Sequence, residues 1–421
     1  MNRQIRNLQG AFYVGLRASG HTGNLLVLYF ITIVMRASFY ITIAVTQSLS
    51  FMGGGLHEWE IAAIMIVDNL VELSLASFFG SYGDKIGRRP ILIASLFITA
   101  IAAYLFAIAP TAAILIAFSA VFGIGAAAKV STTLSMIADM SSEHDRARLM
   151  GYYHLSTLTG LAGGFGLGII LLERSIAPNS ILFMAGLACA VSGIIAFLAI
   201  KETRTHMQAD ISILGLIKKV ATDRKIQMLI PVYVPIIAMY GLLIGYAGRI
   251  IEEHFDLLTG TDLLYLFGVL GGSLILGTVI MGKLSDQYMK RRPFIVVGLI
   301  GFGILGYLMV AFADNLRGLW AIWPALPLLG FMAGAFPPAA MAYLTDVSDK
   351  EARGATMGVY SILFGTGMII GPLAGAFAYG NYGLNGMAIL VGIFITIALA
   401  GTYFIPERHH KEVDPTLESP N

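Results

Sequence analysis

The chain has 421 residues, of which 57% are hydrophobic and only 12% charged, and its mean hydropathy is +0.78. That exceeds what the core of a water-soluble domain requires, so the chain is read as an integral membrane protein. A net charge of +2 gives no reason to invoke a nucleic-acid partner, and a single cysteine, Cys189, leaves no disulfide framework and no cysteine zinc site.

Apolar stretches of about 18 to 25 residues can cross a hydrocarbon layer of about 30 Å as helices, whereas barrel strands would be half as long and alternating. An all-α membrane fold with twelve spans is predicted, at 24–48, 58–81, 90–109, 112–138, 149–172, 180–200, 227–250, 260–282, 293–313, 319–345, 355–379 and 385–405. Span one carries Arg36, span two carries Asp68 and Glu72 on one helical face at i, i+4, and span four carries Lys129. Each charge at the bilayer centre costs about 2.5 to 3.5 kcal/mol on insertion scales, so the four are expected to face a cavity or one another. They are the candidate residues for substrate binding and proton coupling, the alternative being a static salt-bridge set. His154, at the start of span five, is read as a packed or interfacial histidine. Span five holds Gly160, Gly163 and Gly164, span eight Gly268, Gly271 and Gly272, and span eleven Gly367, Gly371 and Pro372, small residues that let helix backbones approach closely in lipid. Pro231 and Pro235 in span seven, and Pro324, Pro327, Pro337 and Pro338 in span ten, are expected to kink or break those helices. The run "RIIEEH" at 249–254 is read as a solvated mouth, with an outer gate as the alternative.

Of the 27 Lys and Arg, twenty-two fall on the side of the termini, two (Arg174 and Arg317) on the other, and three (Arg36, Lys129 and Arg249) within spans. The positive-inside rule then places both termini in the cytoplasm of a multi-pass cell-membrane protein. Trp59, Trp320 and Trp323 open spans two and ten, where amphipathic rings favour the interface. No cleavable signal is evident, because polar residues precede a first apolar run that is too long.

The charged loops repeat. "GSYGDKIGRRP" at 80–90 is answered by "GKLSDQYMKRRP" at 282–293, pairing Gly80, Asp84 and Pro90 with Gly282, Asp286 and Pro293. "DMSSEHDRARLMG" from Asp139 is answered by "DVSDKEARGATMG" from Asp346, with Asp139 to Arg146 spaced as Asp346 to Arg353. "KETR" at 201–204 and "PER" at 406–408 form a fainter echo. Duplication gives two six-helix bundles, 1–200 and 227–405, with a cytoplasmic linker at 201–226 and a cytoplasmic tail at 406–421. Within the linker, "DISILGLIKKVATDRK" at 210–225 reads as an amphipathic helix on the inner leaflet.

On these loops the chain resembles the major facilitator superfamily. Its signature between spans two and three, G-x-x-x-D-x-x-G-R-R, is matched by Gly80, Asp84, Gly87, Arg88 and Arg89. The second copy has Met289 in place of the glycine and one residue inserted before Arg291 and Arg292. Two exporter motifs are altered: Ser119 stands where span four would carry an arginine, and "GLAGG" from Gly160 lacks the proline of the span-five pattern, which appears instead as "GMIIGPLAG" from Gly367. The resemblance implies that spans one, four, seven and ten line the cavity, favouring Arg36 and Lys129 over Glu72 as lining residues. It also implies that spans five and eight, and two and eleven, meet across the halves, and that the Asp84 cluster latches the halves on the cytoplasmic side. Locally, Gly87 suits a tight turn, Pro90 suits a helix start, Asp84 can accept from a helix N-terminus or pair with an arginine, and Arg88 and Arg89 are expected at headgroup level.

No phosphate-binding G-x-x-x-x-G-K-S/T loop is present, and neither H-E-x-x-H nor a Ser/His/Asp set stands out. The reading is a monomeric secondary transporter of a small molecule, working by alternating access and driven by a proton gradient without a cofactor or metal. Its partners are the substrate and the lipid bilayer. Export of amphipathic, drug- or lipid-like compounds is preferred, the alternatives being an importer of an organic anion or other nutrient, a transport-dead sensor, or a membrane enzyme.

Overall fold

The structure is a computed structural model and describes residues 22–141, 146–203, 215, 222, 224–254, 260–288, 290–311, 313, 323–347 and 353–405. The linker stretch 210–225 and the tail 406–421 lie largely outside the described residues, as does Trp320. Among the described residues there are helices and turns but no strands. In chain order they are α1 (Thr22–Gln47), α2 (Glu58–Ile86), α3 (Arg88–Ile108), α4 (Ala112–Asp139), α5 (Arg146–Glu173), α6 (Pro178–Ala199), α7 (Ile230–His254), α8 (Gly260–Tyr288), α9 (Arg292–Ala311), α10 (Ala325–Ala333), α11 (Phe336–Val347) and α12 (Arg353–Gly401).

Helices α1 to α9 are the first nine predicted spans. Span ten is divided into α10 and α11 around Gly334 and Ala335. Pro337 and Pro338 fall in the first turn of α11, where a missing N–H costs nothing. Span seven is not broken, for α7 runs continuously from Ile230 to His254. Pro231 sits in its first turn, and Pro235 is accommodated within the helix.

Spans eleven and twelve are traced as one element, α12, that is non-helical at Gly383 (φ +56°, ψ −144°). Eleven helical segments are long and apolar enough to cross a membrane, but the last of them, Ser361–Phe404, has 44 residues. At 1.5 Å per residue it would be roughly twice as long as a hydrocarbon layer is thick. A Cβ on Gly386 would lie 2.5 Å from the carbonyl oxygen of Ala378, eight residues earlier, so the chain reverses at Gly383 and this segment crosses twice. The described residues therefore make twelve crossings.

In the first half α1 packs on α5 and α6, α4 on α2 and α3, and α3 on α6. In the second, α7 packs on α12, α8 on α10, and α9 on α10 and α12. Contacts between the halves run from α2 to α12, α5 to α8 and α1 to α7. Large apolar side chains such as Leu187 and Leu198 on α6 remain exposed, as expected of a surface solvated by lipid. The membrane face from which α1 starts and to which α12 returns is called here the terminal face, and the opposite one the far face.

Candidate functional site

Arg36 on α1, Asp68 and Glu72 on α2, and Lys129 on α4 share one neighbourhood. Arg36 is within electrostatic reach of Glu72, Tyr153, Tyr40 and Tyr240. Asp68 feels Glu72 and Arg36, and Lys129 feels both as well. None of the four forms an ion pair within 4.0 Å. Two of their buried atoms, Nε of Arg36 and Oδ1 of Asp68, have no hydrogen-bond partner. The set is gathered but not mutually neutralised, which a purely structural salt-bridge cluster would be.

Lys129 corrects the expectation for this group. It is only 1% exposed, its Nζ donates to the hydroxyl of Tyr153 at 3.4 Å, and it lies 4.8 Å from the centre of that ring. A flexible ammonium stem reaches both the ring face and the hydroxyl, so α4 turns Lys129 onto α5 and away from an open cavity. Arg36 and Glu72 are half-buried and are the more accessible pair. One turn from Arg36 toward the far face, the hydroxyls of Tyr40 and Tyr240 share a 2.9 Å hydrogen bond across the halves. His154 is packed edge-on against Tyr153, as expected.

On the terminal face Arg88 is the centre of a buried network, not a headgroup-level cation. It is 1% exposed, Nη2 donates to Asp84 at 3.0 Å, and Nη1 donates to the carbonyl of Ser135 at 2.6 Å and to Asp139. Asp84 thus pairs with an arginine, and the helix N-terminus it could have capped is taken by another carboxylate. The backbone N–H groups of Arg88 and Arg89 donate to Glu202 at 3.1 and 3.0 Å, where α3 begins with unpaired donors. Sequence reasoning missed Glu202, although the echo "KETR" contained it. Thr203 from the same echo donates to Asp139 at 3.3 Å. Arg89 donates to the carbonyl of Phe197 at 2.6 Å and lies over its ring. Gly87 has a φ of +107°, a backbone state that L side chains avoid, which explains the glycine in the signature.

Each of these Arg88 contacts stays inside the first half, joining α2, α3, α4 and the end of α6. The expected latch between halves is not among these contacts, and Asp84 makes a further one beyond them. The second copy is weaker. Arg291 donates to Asp286 at 2.6 Å and to Ser285 at 3.0 Å, and the Asp286 side chain is 71% exposed. Gly282 packs on Pro338 and Gly80 touches Ser131, while Arg292 is half-buried at the start of α9. The side chains of Arg146, Asp346 and Arg353 lie outside the described residues.

The far face is where the halves are fastened. Arg249, 6% exposed at the end of α7, donates from Nε to the carbonyl of Gln47 at 3.1 Å and from Nη2 to the carbonyl of Leu56. Gln47 bridges back, donating to the carbonyl of Ile244 at 2.7 Å and accepting from the N–H of Gly248 at 2.7 Å. Glu252 accepts from the N–H of Leu49 at 2.7 Å and Tyr246 donates to the carbonyl of Glu58 at 3.0 Å, while within the second half Tyr379 donates to Glu253. "RIIEEH" is therefore not a solvated mouth but a closed gate. The loop between α1 and α2 wraps Arg249, and Gly55 (φ +76°) leaves room for it, since a Cβ there would meet Nη2 at 2.9 Å.

The glycine stripes divide between two sets of neighbours. Gly160 and Gly164 on α5 face Arg36, Ile33 and Ala37 of α1 within the same half, and Gly163, Gly268 and Gly272 have open space beside them. The expected α5–α8 contact across the halves uses Gly166 against Phe267 and Gly271 against Ala162. Gly367 and Gly371 let α12 approach Ile237 and Ala238 of α7, with Pro372 against Gly241. Across the halves, Gly365 of α12 meets Leu73 of α2.

Comparison with known proteins agrees with this architecture. The tetracycline resistance protein, class G, of Vibrio anguillarum is 28% identical over 327 residues, covering 74% of this chain and 78% of its own length. The quinolone resistance protein NorA of Staphylococcus aureus is 22% identical over 333 residues, covering 76% of this chain and 81% of its own. A bacterial homologue of the human lysosomal transporter Spinster, solved inward-facing and unoccupied, superposes with a TM-score of 0.72 at 15% identity, covering 90% of this chain and 95% of that one. The profile of the Major Facilitator Superfamily matches residues 25–290 and 228–420, and with the duplicated loops, twelve crossings and cross-half gate described above, the chain belongs to that family of membrane transporters and is not an enzyme.

Proposed function

We propose that this transporter exports small amphipathic compounds of the drug class in exchange for protons, as a monomer in the cell membrane with both termini cytoplasmic. One observation carries the reading: the charges at Arg36, Asp68 and Glu72 are gathered on α1 and α2 without being spent on one another. Unpaired buried ionisable groups in a membrane protein are costly unless the cycle uses them. The named resistance proteins among the relatives support export. With the termini in the cytoplasm, the far-face gate is the outer one, and the conformation is closed to the outside. A second reading, uptake of an organic anion, is favoured by the unpartnered Nε of Arg36, a donor suited to a carboxylate.

The deciding measurement pairs melting temperature with pH-driven flux in liposomes for Asp68→Asn, Arg36→Gln and the double variant. Breaking a static buried pair would cost about 3 to 5 kcal/mol, which the double variant would recover. Unspent charges lead to a different outcome: Asp68→Asn keeps its stability and loses gradient-driven accumulation, while substrate exchange between equal pools survives. Normal driven flux in a stable Asp68→Asn protein would remove this carboxylate from coupling. For the orientation, a cysteine introduced by His57→Cys should react with an impermeant reagent in intact cells, and one introduced by His206→Cys should be shielded. The reverse pattern would overturn it.

A further inference from the structure

Asp68 also opens onto a crevice that Arg36 and Tyr153 do not line, within the first half between α1, α2, α3 and α4. Its polar lining consists of Asp68, Thr42, Thr46, Asn69 and Ser119. Each of those neutral side chains already spends a donor on a backbone carbonyl. Thr42 donates to the carbonyl of Ser38 at 2.9 Å, Thr46 to that of Ile43 at 3.0 Å, Ser119 to that of Ile116 at 2.6 Å, and the Asn69 amide to that of Met65 at 2.8 Å. What remains is mostly oxygen lone pairs, together with the second N–H of the Asn69 amide. Asp68 is 4% exposed, and its Oδ1 is buried without a partner. The other walls are apolar, Phe39, Phe106 and Phe122 among them, so they supply no hydrogen to the carboxylate.

A pocket in which acceptors outnumber donors around one buried carboxylate suits a ligand that brings positive charge. We propose that this crevice binds a single small inorganic cation, a monovalent ion of the sodium type, held by Asp68 and the oxygens of Thr42, Thr46, Asn69 and Ser119. Oxygen-only donors suit a hard cation, and one carboxylate balances one charge. No group of three or more His, Cys, Asp or Glu gathers among the described residues, as a multiply charged metal would require. The other charges within reach of Asp68 are Glu72, one turn along α2, and Arg36 on α1. They bear on affinity but are not part of the lining. The site goes beyond the proton-exchange reading in giving Asp68 a second occupant, and binding is measurable without any transport.

The test uses the purified full chain in detergent at alkaline pH, titrated with NaCl against choline chloride at constant ionic strength, with the melting temperature as readout. Sodium should raise it saturably in the wild type and in Glu72→Gln, and should do nothing in Asp68→Asn. Ser119→Ala, which removes one oxygen ligand and leaves the carboxylate and the fold in place, should weaken apparent sodium affinity on the order of tenfold. Acidification should compete with sodium, because a protonated Asp68 no longer attracts it. A melting temperature indifferent to sodium in a folded wild type would overturn the site and leave Asp68 simply protonated. A sodium shift retained in Asp68→Asn would overturn it equally. Either failure leaves the export reading to the flux measurement, which is made without sodium.

Discussion

Arg88 and Arg291 occupy matching places in a duplicated loop, yet their surroundings give them different energetic weight. Arg88 is buried between two carboxylates and a carbonyl, so Arg88→Gln strands Asp84 and Asp139 in a low-dielectric site. The expected loss is about 3 to 5 kcal/mol. Asp286 is largely solvated, and Asp286→Asn should cost no more than about 1 kcal/mol. Thermal unfolding of both variants in one detergent checks this, and equal shifts would refute the asymmetry. The sequence showed which residues belong to the loop, because spacing survives duplication. It did not show depth, since the burial of Arg88 depends on Asp139 and Glu202 arriving from α4 and the end of α6, contacts that no local pattern encodes. Lys129 escaped prediction for the same reason: its place on α4 was legible, but its turn toward Tyr153 was set by the packing of α5.

At the scale of helices, hydropathy located the twelve crossings well, including the reversal at Gly383 that leaves α12 continuous by hydrogen bonding. Glycine spacing identified close-packing faces but not their partners. A stripe at 160, 164 and 168 defines one side of α5, and only the assembled bundle shows that this side meets α1 and not α8. Neighbouring glycines should therefore respond differently. A side chain at 164 collides with the backbone of Ala37, so Gly164→Val should part α1 from α5 at a cost of about 1 to 3 kcal/mol. Gly163 has open space, and Gly163→Ala should be neutral or stabilising by up to about 1 kcal/mol through helix propensity. Melting temperatures of the two proteins decide the point, and a destabilised Gly163→Ala would contradict the assigned faces.

Alternating access requires the far face to open as the terminal face closes, so the bonds that exist in one state only determine the balance between the two. Among the described residues, cross-half hydrogen bonds gather around Arg249, Gln47, Glu252 and Tyr246, with Tyr40–Tyr240 deeper in the bundle, while the contacts described for Arg88 stay within one half. Opening the far face must withdraw Arg249 from the carbonyls of Gln47 and Leu56, two charge-assisted bonds. Such bonds are worth about 1.5 to 3 kcal/mol each before water replaces them. A net loss of only about 1.4 kcal/mol from this state would move the populations tenfold. Arg249→Ala should accordingly shift the protein toward the far-open state without unfolding it, since the contacts of α7 with α12 remain. Spin labels at positions 50 and 254 report the far face, and labels at 82 and 288 report the terminal face. Cys189 is buried and does not compete for labelling. In Arg249→Ala the first pair should separate and the second should approach, because one rocking motion moves both. Separation at the far face alone would mean that Arg249 only pins the α1–α2 loop, and unchanged distances at both faces would remove it from the gate.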